Sequence, residues 1–285
     1  MNPTITVIAA GAMGSAVAQR LSRHGVTVLT SLAGRSSTSR ARAEAAGMRH
    51  AEDAEIVERS ALILSIVPPA DAVALAQRFA KLFAGTDRRP AFVDCNAIGV
   101  DTMTAIGHLI EVTGARCVDG AIIGLPPKGE EPGPTFYFSG EAAGAATQLG
   151  DYGLQVKIIE GPIGAASALK LSYAGITKGL VAIAAAMVLA AERAGAGPAL
   201  KAELAASQPQ LLARFTKTLP DMYPKAYRWV EEMHAIAGFI GPAYPEARFF
   251  EGAAGLYERL AADVAGSKEE CGSIDRFLAA GVPTS

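Results

Sequence analysis

The sequence predicts an α/β protein whose first part, residues 1–162, is a Rossmann-type doubly wound sheet and whose second part, residues 163–285, is all-helical. Three observations predict it. Short β-rich runs alternate with stretches of helical spacing through the first half, the pattern of strands joined by crossover helices. A glycine turn, Gly11 to Gly14, joins the first run to the first helical stretch. Beyond Gly161-Pro162 the periodicity is helical to the C-terminus, and no segment reads as a convincing strand. A length of 285 residues suits two domains, and a hydrophobic content of 50% supplies the cores.

The elements follow in order. Residues 5–10 (ITVIAA) form the first strand, Met13 to His24 the first helix, and Val26 to Thr30 the second strand. The continuous apolar runs at 61–67 (ALILSIV) and 91–95 (AFVDC) fit parallel strands covered on both faces. Further strands are expected at 115–120, 135–140 and 155–160, with a small helix near Glu141 to Leu149. One long Ala-rich helix is expected over 164–194, ended by Gly195, and then helices over 199–219, 221–238, 245–265 and 268–280.

Charge and cysteine usage narrow the class. Lys and Arg total 26 against 28 Asp and Glu, a formal charge of -2, which gives no field for gathering phosphate backbones; nucleic acid is not an expected partner. Cys95, Cys117 and Cys271 are widely spaced, with no CxxC and no His at ligand spacing, so reduced thiols in a cytoplasmic protein and no metal site are expected. The N-terminus leads directly into a strand without a signal-peptide pattern. The longest uncharged apolar run, Gly179 to Ala191, is shorter than the ~20 residues that cross a bilayer, and is read as a buried helix.

The turn after the first strand reads Ala9-Ala10-Gly11-Ala12-Met13-Gly14. In a dinucleotide fingerprint the first Gly makes a tight turn, the second admits the pyrophosphate to the backbone, and the third lets helix and strand pack closely. Gly11 and Gly14 hold the second and third places, and Ala9 stands in the first. Ala12 and Met13 open the helix, whose free N–H groups suit a diphosphate. After the second strand, an NAD enzyme usually carries an acid for the ribose hydroxyls. Here no acid lies between Gly14 and Glu44; Arg35, Ser36, Ser37 and Arg40 stand there instead. A guanidinium fork with hydroxyls suits a 2′-phosphate, so NADP is expected in preference to NAD.

This order of motifs resembles the β-hydroxyacid dehydrogenase family, the group of 6-phosphogluconate and 3-hydroxyisobutyrate dehydrogenases, across nearly the whole chain. The family pattern GLGxMG is similar to Ala9 to Gly14, and Ser65-Ile66-Val67-Pro68-Pro69 resembles the loop that borders the adenosine side of the cofactor. The resemblance therefore implies cofactor contacts at Val67 and Pro68. Asp94-Cys95-Asn96-Ala97 falls where the family has residues near the nicotinamide ribose, so Asn96 either meets cofactor and substrate or stabilises a turn.

Asp119-Gly120-Ala121-Ile122-Ile123-Gly124 falls on the family's substrate motif DAPVSGG, with Ile123 in place of the Ser that helps bind a carboxylate. Ile122, Ile123 and Gly124 would then give an apolar substrate wall with backbone N–H groups as anion donors. The loop Pro126 to Pro134 borders the site or is a surface connection.

The segment Gly161 to Lys170 resembles the family's third motif, which ends in a catalytic Lys; Lys170 falls on it. Lys170, Tyr173 and Thr177 share one helical face, with Ala174 leaving room beside them. The family's Asn one turn on is absent, so its substrate contact is lost or taken over by Tyr173.

The implied activity is hydride transfer between nicotinamide and a small hydroxyacid or related alcohol, with Lys170 as general acid/base. Two other readings remain: reduction of an imine on an apolar substrate, and a non-catalytic NADP-binding sensor. A homodimer is expected, because a straight helix over 164–194 would span ~46 Å, more than a compact domain of this size needs. Tyr223, Tyr227, Trp229 and Phe239 line that contact or belong to the intrachain core.

Overall fold

The computed structural model describes residues 3–129 and 131–280. The chain divides into two compact units, Met1–Lys170 and Leu171–Ser285.

The first unit is built on an eight-stranded sheet of order β3-β2-β1-β4-β5-β6-β7-β8. Its strands are β1 (Thr4–Ile8), β2 (Thr27–Thr30), β3 (Met48–His50), β4 (Leu62–Ser65), β5 (Ala91–Asp94), β6 (Cys117–Ile123), β7 (Thr135–Ser139) and β8 (Gln155–Ile158). The first six run parallel in the order of the dinucleotide-binding fold. β7 turns back antiparallel to β6, and β8 lies parallel to β7.

Helices α1 (Ala12–Arg23), α2 (Ser37–Ala45), α3 (Asp53–Arg59), α4 (Ala72–Phe83) and α5 (Val100–Glu111) make the crossovers. Side-chain alternation divides the core between the two sheet faces: Val7, Leu64, Val93 and Val118 pack on one, and Ile8, Ile63, Phe92 and Cys117 on the other. The sequence reading missed β3, which is three residues long and has only Met48 buried, too little apolar length to register as a strand. The small helix expected near 141–149 is a 3-10 helix, Ala143–Tyr152, ended by Gly153 in the left-handed region (φ 83°).

The second unit is helical throughout. Helix α6 (Ala165–Arg193) begins in the first unit and continues into the second, where α7 (Gly197–Ser207), α8 (Pro209–Met222), α9 (Ala226–Ile240), α10 (Ala247–Ala265) and α11 (Glu269–Ala279) follow. The single helix expected over 199–219 is in fact two. Pro209 carries no N–H and its ring disfavours α geometry at the residue before it, and Gln208 accordingly sits at φ -137°, ψ 52°. A 3-10 turn at Tyr223–Lys225, containing Pro224, likewise moves the start of the next helix from 221 to Ala226.

α6 is longer as an apolar element than its uncharged run suggested. By length and composition alone it is long and apolar enough to cross a membrane, yet Val181, Ala184, Ala185, Val188 and Leu189 are buried among the other helices of the unit. Of the four aromatic residues considered for a subunit contact, Trp229 packs edge-on against Tyr257 at 5.2 Å and Tyr223 joins the same core, whereas Tyr227 and Phe239 are exposed.

One polar device closes this unit. Buried Lys201 donates from Nζ to the carbonyls of Leu278 (2.6 Å) and Ala280, placing a cation at the C-terminal end of α11, where the helix leaves carbonyls without intrahelical partners. Lys201→Met should fill similar space but strand those carbonyls, lowering stability by ~2 kcal/mol. Urea unfolding checks it, and an unchanged midpoint would show that water replaces the ammonium.

Candidate active site

The C-terminal ends of β1, β2 and β4 open onto a cleft of 360 Å³ lined by Ala9, Ala10, Gly11, Ala12, Met13, Gly14, Ser31, Leu32, Arg35, Ser39, Arg42, Ile66, Val67 and Pro68. The two fingerprint glycines act differently. A Cβ on Gly11 would meet nothing within 4 Å, so the bare backbone faces open space; a Cβ on Gly14 would stand 1.9 Å from the Ala9 carbonyl oxygen. Gly14 is therefore required for α1 to approach β1, while Gly11 leaves the helix N-terminus accessible. First-turn N–H groups, which have no intrahelical acceptor, belong to residues lining this cleft, an arrangement that fits a diphosphate.

The residues that line this end of the cleft differ from the sequence expectation by one helical turn. Arg35 lines the cleft, but Ser36 is the N-cap of α2, its hydroxyl accepting from the Ser39 N–H, and Ser37 is exposed. Arg40 is turned onto backbone, donating to the carbonyls of Leu32 (2.8 Å) and Arg35 (3.2 Å). Ser39 and Arg42 line the cleft in their place, and Arg42 Nη1 donates to the Ala10 carbonyl at 3.1 Å. The signal was available: with Ser36 as cap, positions 39, 42, 43 and 46 fall on one helical side, and Ala43 and Ala46 mark it as the inward one.

Of the two readings of Asn96, the structure favours the one in which it stabilises its turn. Asn96 is buried, with its side-chain oxygen accepting from the Val67 N–H at 2.7 Å and its amide nitrogen donating to Ser65 Oγ (2.7 Å) and Asp94 Oδ2 (2.8 Å). Both amide protons are thus spent inside the protein, and Asn96 braces Val67 rather than reaching into the cleft.

Asp119, fully buried on β6, is the best-satisfied polar group in this region. Its Oδ2 accepts from Ser139 Oγ (3.0 Å) and from the N–H groups of Gly164 (2.9 Å), Ala166 (2.9 Å) and Ser167 (3.1 Å), while Oδ1 accepts from Ser167 Oγ (2.7 Å). The carboxylate caps the start of α6 and so fixes the turn that carries Lys170, one turn beyond Ser167.

Burial lowers the Lys170 pKa from the usual lysine value; Cys95, Asp94 and Asp119 oppose the fall. Cys95 stays a thiol at neutral pH, its pKa driven far up by burial and then by Asp94. The Asp94 carboxyl is pushed up to about 6, first by burial, against the hydrogen bonds from Asn96.

On β6 the alternation separates the expected wall residues. Ile122 pairs with Phe136 and is buried in the sheet core, so it is not a substrate contact; Ile123, on the opposite side, is half-buried at the strand end. Gly124 has φ +130°, and a Cβ there would press on Pro134 at 3.0 Å, so the strand turns at glycine. The following loop is tied to α1: buried Arg20 donates to the carbonyls of Gly129 (2.9 Å), Glu131 (2.8 Å) and Gly153 (3.2 Å). On α6 within the second unit, Tyr173 is 53% exposed and the Thr177 hydroxyl donates to the Tyr173 carbonyl at 2.8 Å.

Residues 4–149 match the family described as the NAD binding domain of 6-phosphogluconate dehydrogenase, and residues 191–260 match one described as a domain of unknown function, DUF1932. No curated protein is significantly similar to the chain in sequence. Among solved structures, a conserved protein described as structurally similar to 3-hydroxyacid dehydrogenases is 24% identical, with 95% of this chain and 99% of the other covered and a TM-score of 0.78. Mycobacterium tuberculosis 3-hydroxyisobutyrate dehydrogenase with L-serine is 18% identical over 93% and 96% of the two chains, with a TM-score of 0.75. A variant imine reductase from Myxococcus stipitatus in complex with NAD+ is 18% identical over 98% and 100%, with a TM-score of 0.58. At these identities the likenesses concern the fold.

The Asp119 cap yields a direct expectation. Asp119→Ala removes the acceptor of five hydrogen bonds and leaves buried donors unpaired, so stability should fall by at least about 3 kcal/mol. Denaturant unfolding measures it. A loss below about 1 kcal/mol would mean that α6 finds another cap.

Proposed function

The chain belongs to the β-hydroxyacid dehydrogenase family and is a nicotinamide-dependent dehydrogenase or reductase; within that class we propose that it uses NADP and acts on a small hydroxyacid or related alcohol, with Lys170 as general acid/base. The observation that carries the reading is the placement of Lys170 by a buried carboxylate in a setting that lowers its pKa. An amine so placed can change protonation state near neutral pH, as a general acid/base must.

The residues divide the work. Gly11, Ala12, Met13 and Gly14 would hold the diphosphate, Val67 and Pro68 the adenosine side, and Arg35, Ser39 and Arg42 a 2′-phosphate. The bound cofactor supplies or accepts the hydride. Lys170 Nζ takes the substrate hydroxyl proton in oxidation and returns it in reduction. Ile123 and Gly124 contribute to the substrate wall, and Tyr173 and Thr177 add a hydroxyl-bearing face of α6. The homodimer remains part of the proposal, because α6 carries exposed Ile176, Ile183 and Met187 and the cytoplasm is the expected compartment for three buried free cysteines.

Imine reduction is the second reading. Half-buried, apolar Ile123 favours it over a carboxylate-bearing substrate, and Tyr173 would then be the proton donor.

NADP should bind more tightly than NAD. Arg35→Asp should abolish or reverse that preference, and Arg42→Ala should weaken NADP about tenfold, the loss of one charge-assisted contact. Fluorescence titration measures both; equal binding of the two cofactors by the unmodified protein would overturn the assignment.

Lys170→Met should retain fold and cofactor affinity while turnover falls by about 10² or more, with Tyr173→Phe less damaging. Steady-state rates decide it on a substrate found by screening hydroxyacids, sugar acids, alcohols and imines with either cofactor. The reverse order of damage would favour imine reduction.

A further inference from the structure

The end of the cleft proposed for a 2′-phosphate rests on one short turn. Leu32, Ala33, Gly34 and Arg35 form it: the Arg35 N–H donates to the Leu32 carbonyl at 3.2 Å, and Gly34 takes φ +67°. Leu32 and Arg35 both line the cleft, so whatever fixes Leu32 fixes the backbone that carries the Arg35 guanidinium.

Leu32 is held from two sides. Its carbonyl also accepts from Arg40 Nη2 at 2.8 Å, and Arg40 Nε donates to the Arg35 carbonyl at 3.2 Å, so α2 clasps one side of the turn. The other side is held from β3. Thr30 and His50 are register partners, and the Ala51 N–H donates to the Thr30 carbonyl at 3.0 Å. Beyond that bond the ladder passes to a side chain: the Leu32 N–H donates to His50 Nδ1 at 3.2 Å. An imidazole nitrogen accepts only when it carries no proton, and the other ring nitrogen of the neutral ring then holds it. Glu52 Oε1 stands 3.2 Å from His50 Nε2 and favours that placement. With side chains 39% and 76% exposed, the His50–Glu52 pair adds little stability; its consequence is the tautomer.

We propose that His50 is a positioning residue that sets cofactor specificity: its neutral imidazole, protonated on Nε2, accepts from Leu32 and holds the turn so that Arg35 meets a 2′-phosphate. His50 is not among the described residues lining the cleft, so its effect passes through Leu32. The diphosphate would lie on a separate turn, Gly11 to Gly14, so the His50 contact bears on a phosphorylated ribose and not on the rest of the cofactor. The inference rests on the NADP reading above, and its test reads the two apart.

Fluorescence titration of three proteins with both cofactors is that test. The unmodified protein should prefer NADP. In His50→Leu, which keeps bulk and removes the acceptor, NADP should bind about fivefold more weakly and NAD less than about twofold. His50→Asn, whose Oδ1 can stand where Nδ1 stood, should restore NADP affinity. If the unmodified protein prefers NADP, then equal loss for both cofactors in His50→Leu, or no loss for either, overturns the role of His50 alone. A His50→Asn protein as weak as His50→Leu overturns it too. Equal binding of both cofactors by the unmodified protein overturns the NADP reading, and this inference with it. Where the variants do not fold, ¹⁵N NMR of the unmodified protein in alkaline buffer decides. A His50 proton on Nε2 is the expected result, and a proton on Nδ1 overturns the proposal.

Discussion

A carboxylate with no access to water is stable only if it is met by donors, and Asp119 is met by five. Three are N–H groups at the start of α6, where a helix has no acceptors of its own and its dipole favours negative charge. The bargain is mutual: the carboxylate is solvated by the helix, and the helix is pinned to β6. Lys170 lies one helical turn beyond Ser167, so its backbone position follows from that one contact. Ser139 on β7 completes the cradle, which gives the antiparallel turn of the sheet a part in the site.

The cofactor cleft depends on the same kind of exchange between backbone and side chain. Gly14 is squeezed against Ala9 so that Gly11 can be left open, and the loop after β4 is held by Asn96 instead of by further backbone pairing. Arg42 reaches from α2 to the Ala10 carbonyl, tying the helix at the phosphate end to the glycine turn. Two guanidinium groups at one end of the cleft are the basis of the proposed preference for a dianionic 2′-phosphate over a ribose diol.

Much of this was legible in the sequence. Parallel strands buried on both faces announce themselves as continuous apolar runs, and the turn Gly11 to Gly14 located the cleft. Lys170 stood out because a charged residue in an Ala-rich helix needs a reason. What the sequence did not disclose was hydrogen-bond ownership. Ser36 and Ser39 look alike on paper, but the helix start assigns one to capping and leaves the other for the cleft. For Asn96 the sequence left a ligand contact and a turn-stabilising role open, because its bonds to Ser65 and Val67 cross 31 and 29 residues of chain. Asp119 was noted only as part of a motif, since its partners lie 20 to 48 residues away. Ile122 and Ile123 are separated by the pleat, a distinction that depended on where β6 ends.

Buried carboxylates, a partly desolvated amine and a glycine turn all serve one claim, that a proton and a hydride are exchanged with a substrate here. The most direct test is transfer of deuterium from reduced NADP labelled at C4 to a panel of oxo acids, ketones and imines, with products weighed by mass spectrometry. The account predicts a product one mass unit heavier at the former carbonyl or imine carbon, formed only with the protein present. Tight binding of the reduced cofactor with no deuterium passed to any acceptor class would contradict it, and would leave a nicotinamide-binding protein without the chemistry.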